Sequence, residues 1–546
     1  MGLAMQRDLI ILNANIQTMD VARPQADAIL IRAGRIVALG TASDLRPLAG
    51  KNARIVDAGG RLVLPGFQDA HVHLMDGGTD IVQTAWLGDA TTITEMQVAL
   101  HTHAAKDNSA LVMGGGWNNS YFNDENLTRA VLDAVLPDRP CIVYDDSAHS
   151  ACLNSAACIM AGVTRETPDP PNGHFLHDAA GEPTGMLYED AIYWARARLP
   201  HITDATYLAG ARAGQAHANS LGITGVLDPC ITSYQERAYA TLAAHGGMTL
   251  RVAGAAKVDV ADTADTVIAR LTALRDAHQS DYFRIQSAKF FLDGILENRT
   301  AAMIASYADA AGGNAPLMFA PDHLTSLFTA VDAARFQIHV HVIGDLAVRA
   351  TLDGLTAALH ANGAWPSLHQ LAHLQVIDPA DIPRIAAVGA MANIQPLWAC
   401  NDPAIPDPAQ AMIGHARAPN TYAFRRMLDA GAAFCLSSDW PVTTLNPFEI
   451  IEVAATRQPV AKKAVPPFYP SARLTVAEAV LGCTAHAAAA CWRGHFTGRL
   501  MPGFSADLII LERDIFTCDP YDIGATLVFL TLFEGIEVHR HPEFEG

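Results

Sequence analysis

The segment 63-VLPGFQDAHVHLMD-76 passes from an apolar run through a Pro-Gly turn to two histidines separated by one residue. On a β-strand, residues i and i+2 point to the same face, so His71 and His73 can reach a common ion. The same spacing recurs at His101 and His103, but that neighbourhood is predicted to be helical, where residues two apart do not share a face. The first pair is therefore the candidate for metal binding, and the second is expected to be solvated surface.

Short apolar runs that end in polar residues recur along the chain and alternate with Ala-rich helical stretches, which is typical of βα units. Eight parallel strands with intervening helices predict a (β/α)8 TIM barrel, an α/β fold whose chemistry gathers at the carboxyl ends of its strands. The eight runs are FQDAHVHL, GITGVLDP, TLRVAGAAK, FRIQSAKFFLDG, FQIHVHVIGD, HQLAHLQV, AVGAMANIQP and GAAFCLSSDWPV.

Both ends of the chain are predicted to be rich in β-structure. The first sixty or so residues alternate short strands with Gly turns, and GRLMPGFSADLIILERD near the far end has the same character. The sequence permits the two ends to form one small sheet domain.

A long insertion, residues 75–205, follows the first predicted barrel strand and is rich in aromatic residues and Gly. It is too long for a single connecting helix. It is expected either to overhang the barrel mouth as a lid and substrate pocket or to pack on the flank or in an oligomer contact.

Composition excludes several classes of partner. The net charge is −19 and Lys and Arg form no block, so neither nucleic acid nor an anionic membrane finds a positive surface. No secretory signal or membrane span is apparent. Nine cysteines without CxxC spacing indicate reduced thiols and a cytoplasmic location. A small-molecule substrate is the expected partner, and the sequence leaves a homodimer open.

Further candidate ligands fall at the ends of later strands: Lys289, His341, His373 and Asp439. Neutral imidazoles and a carboxylate are ligands that zinc accepts. Each residue alone has a structural explanation, such as a hydrogen-bonded core histidine, a turn-capping aspartate or a buried ion pair. Their occurrence at successive strand ends favours a metal site.

The motifs PGFQDAHVH, KFFLDG, HVHVIGD, AHLQ and SSDWPV, followed by GFSADLIIL, resemble the amidohydrolase superfamily. The resemblance is to the YtcJ-like amidohydrolase 3 group, which includes N-substituted formamide deformylases. It implies a metal-dependent hydrolase with a barrel over 65–490 and a composite β-sandwich built from 1–64 and 491–546. The metal ligands that it implies are His71, His73, His341, His373 and Asp439, with Lys289 as a carboxylated lysine bridging two zinc ions; one zinc is the fallback.

The implied reaction is hydrolysis of a C–N bond in an N-substituted amide or formamide through a metal-bound hydroxide. Asp439 is expected to act as general base and then acid, and His373 or a second metal to stabilise the oxyanion. Esters, carbamates and cyclic amides stay open as substrates. Deamination of a ring amine is a further alternative, although it usually employs one metal and no bridging lysine. The non-enzymatic alternative is a barrel that keeps these histidines for stability or acts as a binding module.

Substrate contacts are expected from the insertion and from other strand ends. For the aromatic candidates, packing in the core is an equal alternative to substrate contact. For Arg299, the equal alternative is a structural ion pair. His339 is expected to lie in the core or behind the ligands. The candidate substrate-binding residues are Trp117, Tyr121, His149, Asn154, Arg299 and Trp398.

Overall fold

The computed structural model describes residues 7–119, 121–145, 150–170, 173–296, 299–308, 313–401 and 408–546. The chain divides into two compact units, Met1–Leu74 with Gln215–Gly546 and Met75–Gly214. Across the described ranges, no helix combines the length and apolar character needed to cross a bilayer. All nine cysteines are described and none forms a disulfide.

The N-terminal segment consists of short strands joined by turns. Left-handed Ala33 and Gly34 allow the tight turn between two of these strands, β4 and β5, which pair antiparallel. One four-stranded sheet has the order β5-β4-β1-β6. The elements are β1 (Leu9–Leu12), β2 (Asn15–Gln17), β3 (Gln25–Ala26), β4 (Ala28–Arg32), β5 (Arg35–Gly40), α1 (Ala42–Leu45), β6 (Arg54–Asp57) and β7 (Leu62–Pro65).

After the first barrel strand, β8 (Phe67–Asp69), the chain enters the insertion, which forms the unit Met75–Gly214. A six-stranded mixed sheet of order β13-β14-β12-β11-β10-β9 carries helices and two apolar clusters of its own. His101 and His103 lie in α3, which confirms the helical prediction. The elements are α2 (Leu74–Gln83), β9 (Thr84–Trp86), α3 (Ile93–Ala104), β10 (Val112–Trp117), α4 (Arg129–Asp133), β11 (Cys141–Asp145), β12 (Ser150–Leu153), α5 (Ser155–Ala161), β13 (Gly173–His177), β14 (Pro183–Glu189), α6 (Asp190–Arg196) and α7 (Asp204–Ser220).

The barrel is a parallel eight-stranded sheet, and each predicted run overlaps one of its strands. Its order is β8, then β15 to β21 in sequence. The strands are β15 (Ile223–Ile231), β16 (Arg251–Lys257), β17 (Phe283–Phe291), β18 (Gln337–Val342), β19 (Gln370–His373), β20 (Met391–Ile394) and β21 (Ala433–Leu436).

The helices of the barrel follow its strands β15 to β21 along the chain, as expected of βα units. They are α8 (Ser233–Ala244), α9 (Ala264–Ala277), α10 (Pro321–Ala333), α11 (Asp345–Asn362), α12 (Ile382–Ala387), α13 (Pro408–Ile413), α14 (Phe424–Asp429), α15 (Pro447–Thr456), α16 (Val476–Leu481) and α17 (Ala487–Ala490).

The first and last barrel strands approach each other at the barrel mouth. Beyond the strand ends, the Asp439 N–H donates to the His71 carbonyl and the His73 N–H to the Trp440 carbonyl, both at 2.9 Å. These bonds nearly close the barrel and hold the HxH segment beside the SSDWP segment.

The last three strands, β22 (Leu508–Leu511), β23 (Val528–Phe533) and β24 (Ile536–Arg540), join N-terminal strands in a second sheet. That sheet has the order β24-β23-β22-β7-β2-β3. Apolar residues from both ends of the chain form one cluster between the two sheets, as in a β-sandwich. The predicted fold class, a barrel with a composite β-sandwich and a long insertion, is confirmed.

Candidate metal centre

The HxH pair lies just past the first barrel strand. β8 ends at Asp69, so the prediction that His71 and His73 stand on the strand itself is wrong by a few residues. Backbone bonds to both neighbouring strand segments continue through this region: the Val72 N–H donates to the Leu227 carbonyl at 3.0 Å. The two imidazoles nevertheless converge on one carboxylate.

Asp439 is the carboxylate on which they converge. Its Oδ1 lies 3.3 Å from His71 Nε2 and 3.5 Å from His73 Nε2. One ligand atom each from His71, His373 and Asp439 lies within 4.8 Å of the others, and all three residues are buried. The His341 ring centroid is 4.5 Å from that of His373. Residues from four barrel strand ends therefore meet at one place.

Lys289 projects from β17 and is 1% exposed. Its Nζ lies 4.5 Å from the centre of the Phe291 ring. Burial lowers the pKa of its ammonium to about 8, although the Asp439 charge acts in the opposite direction. The positive charge of Lys289 in turn helps to lower the pKa of His71 and His341, which places it among the candidate ligands.

Burial keeps most of the imidazoles neutral. It lowers the pKa of His71 and His373 well below the usual value and that of His341 to about 3. At His73 burial also opposes protonation, but the nearby Asp439 carboxylate outweighs it, so the pKa is raised. Neutral imidazole is the form that binds a metal.

The donor set fits a divalent cation. Among the described residues, Asp439 Oδ1 is buried yet accepts no hydrogen bond, which is costly for a carboxylate oxygen. It faces neutral imidazole nitrogens, and this combination of ligands suits zinc. His373 and Asp439 also have φ of 80° and 59°, conformations that L-residues adopt at a cost and that concentrate at functional sites.

Two residues behind the cluster orient its ligands. His339, predicted for the core or for a position behind the ligands, is fully buried, and its Nε2 lies 2.9 Å from His71 Nδ1. Asp69 accepts the backbone N–H groups of His71 and Ser438 at 3.0 and 3.1 Å, and burial raises its pKa to about 7. Sequence reasoning missed Asp69, although its position within QDAHVH is a signal.

Residues predicted in the insertion as substrate contacts have other roles within that unit. Trp117 is fully buried in its core and donates its indole N–H to Asn119 Oδ1 at 3.0 Å. Asn154 is fully buried and caps α5, accepting the Ala157 N–H at 2.9 Å. These interactions engage the polar groups of both side chains within the insertion, and substrate contact by either residue stays a prediction. Tyr121 is 50% exposed, and His149 lies outside the described residues.

The two remaining substrate candidates follow barrel strands. Trp398 ends a short turn after β20 and stacks on His373, with ring centroids 4.9 Å apart and planes within 3°. It also packs against an apolar cluster that includes Met303 and Tyr307. The Arg299 guanidinium lies 5.5 Å from the centre of the Tyr307 ring. The structure therefore brings Trp398 to the metal cluster and places Arg299 beside the apolar cluster.

A parallel barrel with buried His and Asp ligands at its mouth is the architecture of a metal-dependent hydrolase. The amidohydrolase family model matches residues 54–539, and the chain belongs to that family. An N-substituted formamide deformylase from Arthrobacter pascens is 27% identical over 566 residues, covering 97% of this chain and 98% of that protein.

Solved structures agree on the fold. An uncharacterised metal-dependent hydrolase from Pyrococcus horikoshii OT3 has a TM-score of 0.77 at 22% identity, covering 94% of this chain and 99% of that one. An atrazine chlorohydrolase from Arthrobacter aurescens TC1, solved with zinc, has a TM-score of 0.56 at 16% identity, covering 97% and 95%.

Proposed function

We propose that this protein hydrolyses a C–N bond of an N-substituted amide or formamide at a zinc-dependent centre. The observation that carries the proposal is the Asp439 carboxylate, which lies within 3.5 Å of two imidazoles and accepts no hydrogen bond from the described residues. The deformylase relative, matched over nearly its whole length, supports this substrate class.

Zinc is the proposed metal because imidazole nitrogen and carboxylate oxygen are its usual ligands. When bound, it would supply a reactive water and polarise a carbonyl group. The proposed ligands are His71, His73, His341, His373 and Asp439. With a pKa near 8, part of Lys289 is neutral near neutral pH and can take up carbon dioxide. The resulting carbamate would bridge two ions; without it, one zinc is the proposal.

Asp439 is the proposed proton carrier. The oxygen of water adds to the carbonyl carbon, the C–N bond breaks, and the proton lost by water passes through the Asp439 carboxylate to the leaving nitrogen. His373 lies beside Asp439 and is proposed to help stabilise the negative charge on the carbonyl oxygen by holding the cation that would lie next to it.

Trp398 is proposed to shape the substrate pocket. Its indole lies flat on His373, and the apolar cluster behind it includes Met303, Tyr307 and Ile343. Such a wall favours an apolar substituent on the nitrogen. We also propose a cytoplasmic enzyme, because its nine thiols form no disulfide, with a small molecule as its partner.

The test uses purified protein that has been stripped of metal and reloaded with zinc. Formamides, longer amides, a cyclic amide, an ester and a carbamate that share one aryl or alkyl substituent are compared by product release. We expect activity to disappear on stripping, to return with zinc, and to be highest on the formamide or amide. Activity that survives thorough stripping contradicts the proposal, and ammonia release from ring amines alone would identify a deaminase.

A further inference from the structure

We infer that Gln395 is a positioning residue that keeps the proton of the His373 imidazole on Nδ1 and thereby leaves the Nε2 lone pair for a metal. The inference rests on the proposed function, because it concerns one of the proposed ligands. It follows from the direction of hydrogen bonds in a buried network that begins at a backbone carbonyl.

The network begins at the carbonyl of Ala70, next to His71. Asn393 Nδ2 lies 2.9 Å from that carbonyl oxygen and 2.7 Å from Gln370 Oε1. A backbone carbonyl can only accept, so the amino end of the Asn393 amide must face it. The Asn393 oxygen therefore points the other way.

That oxygen determines the orientation of the next amide. Asn393 Oδ1 lies 3.1 Å from Gln395 Nε2 and 2.5 Å from Ser437 Oγ. Because Oδ1 can only accept, Gln395 must present its amino group here, and the same group donates to Ser437 Oγ at 2.7 Å. The oxygen of the Gln395 amide is left on the opposite side, 3.1 Å from His373 Nδ1.

The consequence for His373 is a defined tautomer. An amide oxygen cannot donate, so the hydrogen between it and His373 belongs to Nδ1, and Nε2 keeps its lone pair. Gln395, Asn393 and Ser437 are each at most 1% exposed, so water does not compete for these bonds. Trp398, stacked on the ring face, restrains the plane of the same imidazole.

His71 provides a contrast within the same site. Its Nδ1 meets His339 Nε2 at 2.9 Å, but the other nitrogen of His339 has no hydrogen-bond partner among the described residues. Within the described ranges, no hydrogen bond joins a backbone carbonyl to either ring, so the direction of that bond is not determined. The fixed tautomer is thus a property of the Gln395 network and not of burial alone.

The experiment measures zinc affinity by chelator competition on full-length protein that has been stripped of metal. Gln395→Leu removes the acceptor while keeping the volume similar, and we expect about a 10- to 100-fold loss of affinity. Gln395→Glu keeps an acceptor for Nδ1–H but cannot donate to Asn393 and Ser437, so it should recover part of that loss. Gln286→Leu is the matched control, because Gln286 is also buried in a barrel strand but its amide has no hydrogen-bond partner in the described part of the chain. The zinc affinity of this variant should equal that of the wild type.

Two results would overturn the inference. One is a folded Gln395→Leu protein that binds zinc as tightly as the wild type, and the other is an equal loss in Gln395→Glu and Gln395→Leu. If Gln395→Leu does not fold, Ser437→Ala decides, because it removes one of the two acceptors that orient Gln395. It should lose affinity several-fold, and unchanged affinity refutes the network. Wild-type protein that binds no zinc would instead refute the proposed function.

Discussion

Replacing Asp439 by Asn removes the charge of the proposed proton carrier with little change in shape. Asp439 has φ of 59°, and Asn tolerates this left-handed conformation better than most residues. The backbone bond from the residue 439 N–H to the His71 carbonyl is kept. Because Oδ1 accepts no hydrogen bond from the described residues, the substitution leaves no structural donor unsatisfied. We therefore expect the free energy of unfolding of the metal-free protein to change by less than about 1 kcal/mol.

The effect on turnover should be far larger. A positioned general acid or base contributes about 100- to 10,000-fold, so kcat of Asp439→Asn should fall by that factor, equivalent to about 2.7–5.4 kcal/mol in the barrier. The assay combines kcat on the best substrate, zinc content per chain and urea unfolding. Asp439→Ala should lose activity similarly but unfold more easily, because Ala is strained at this φ.

A folded, zinc-loaded Asp439→Asn protein whose kcat lies within tenfold of the wild type would remove Asp439 from proton transfer. A variant that loses zinc and activity together would show that Asp439 acts as a ligand and not separately as a base.

Two further predictions concern stability. Arg251→Met should lower the free energy of unfolding by about 3–5 kcal/mol in urea, because the charge of buried Asp507, whose Oδ2 lies 2.5 Å from Arg251 Nη1, would lose this ion-pair partner. Adding Asp507→Asn should recover part of the loss, and full stability of the single variant would refute this assignment. Gly78→Ala should destabilise the insertion by about 1–3 kcal/mol, because its Cβ would lie 2.1 Å from the Gly210 carbonyl oxygen. Unchanged resistance of the insertion to limited proteolysis would contradict that close approach of α2 and α7.

The barrel could be predicted from sequence because each strand is an apolar run with a polar residue at its carboxyl end. In a parallel barrel those ends lie at one mouth, so the predicted ligands meet although the chain separates them widely. The spacing argument for His71 and His73 identified the pair that converges on Asp439 but assigned the wrong local structure. Beyond β8 the backbone is held by hydrogen bonds to neighbouring strand segments. These segments lie far away in the chain, so a local sequence pattern does not contain them.

The substrate contacts were less predictable. Trp117 and Asn154 occur in a Gly-rich, polar insertion, but their side chains complete the interior of that unit. The sequence cannot show which polar groups find partners within the fold. Asn393 and Gln395, two residues apart at the end of β20, are a visible polar alternation. The direction of their amides depends on the Ala70 carbonyl, more than 300 residues away in the chain.

The most direct test of the metal centre is diffraction from zinc-loaded crystals with data on both sides of the zinc absorption edge. The account predicts anomalous peaks at the barrel mouth, about 2.0–2.2 Å from imidazole nitrogens of His71, His73, His341 and His373 and from Asp439 oxygen. A second peak bridged by modified Lys289 would establish two ions. Zinc-loaded crystals without an anomalous peak among these side chains would contradict the account.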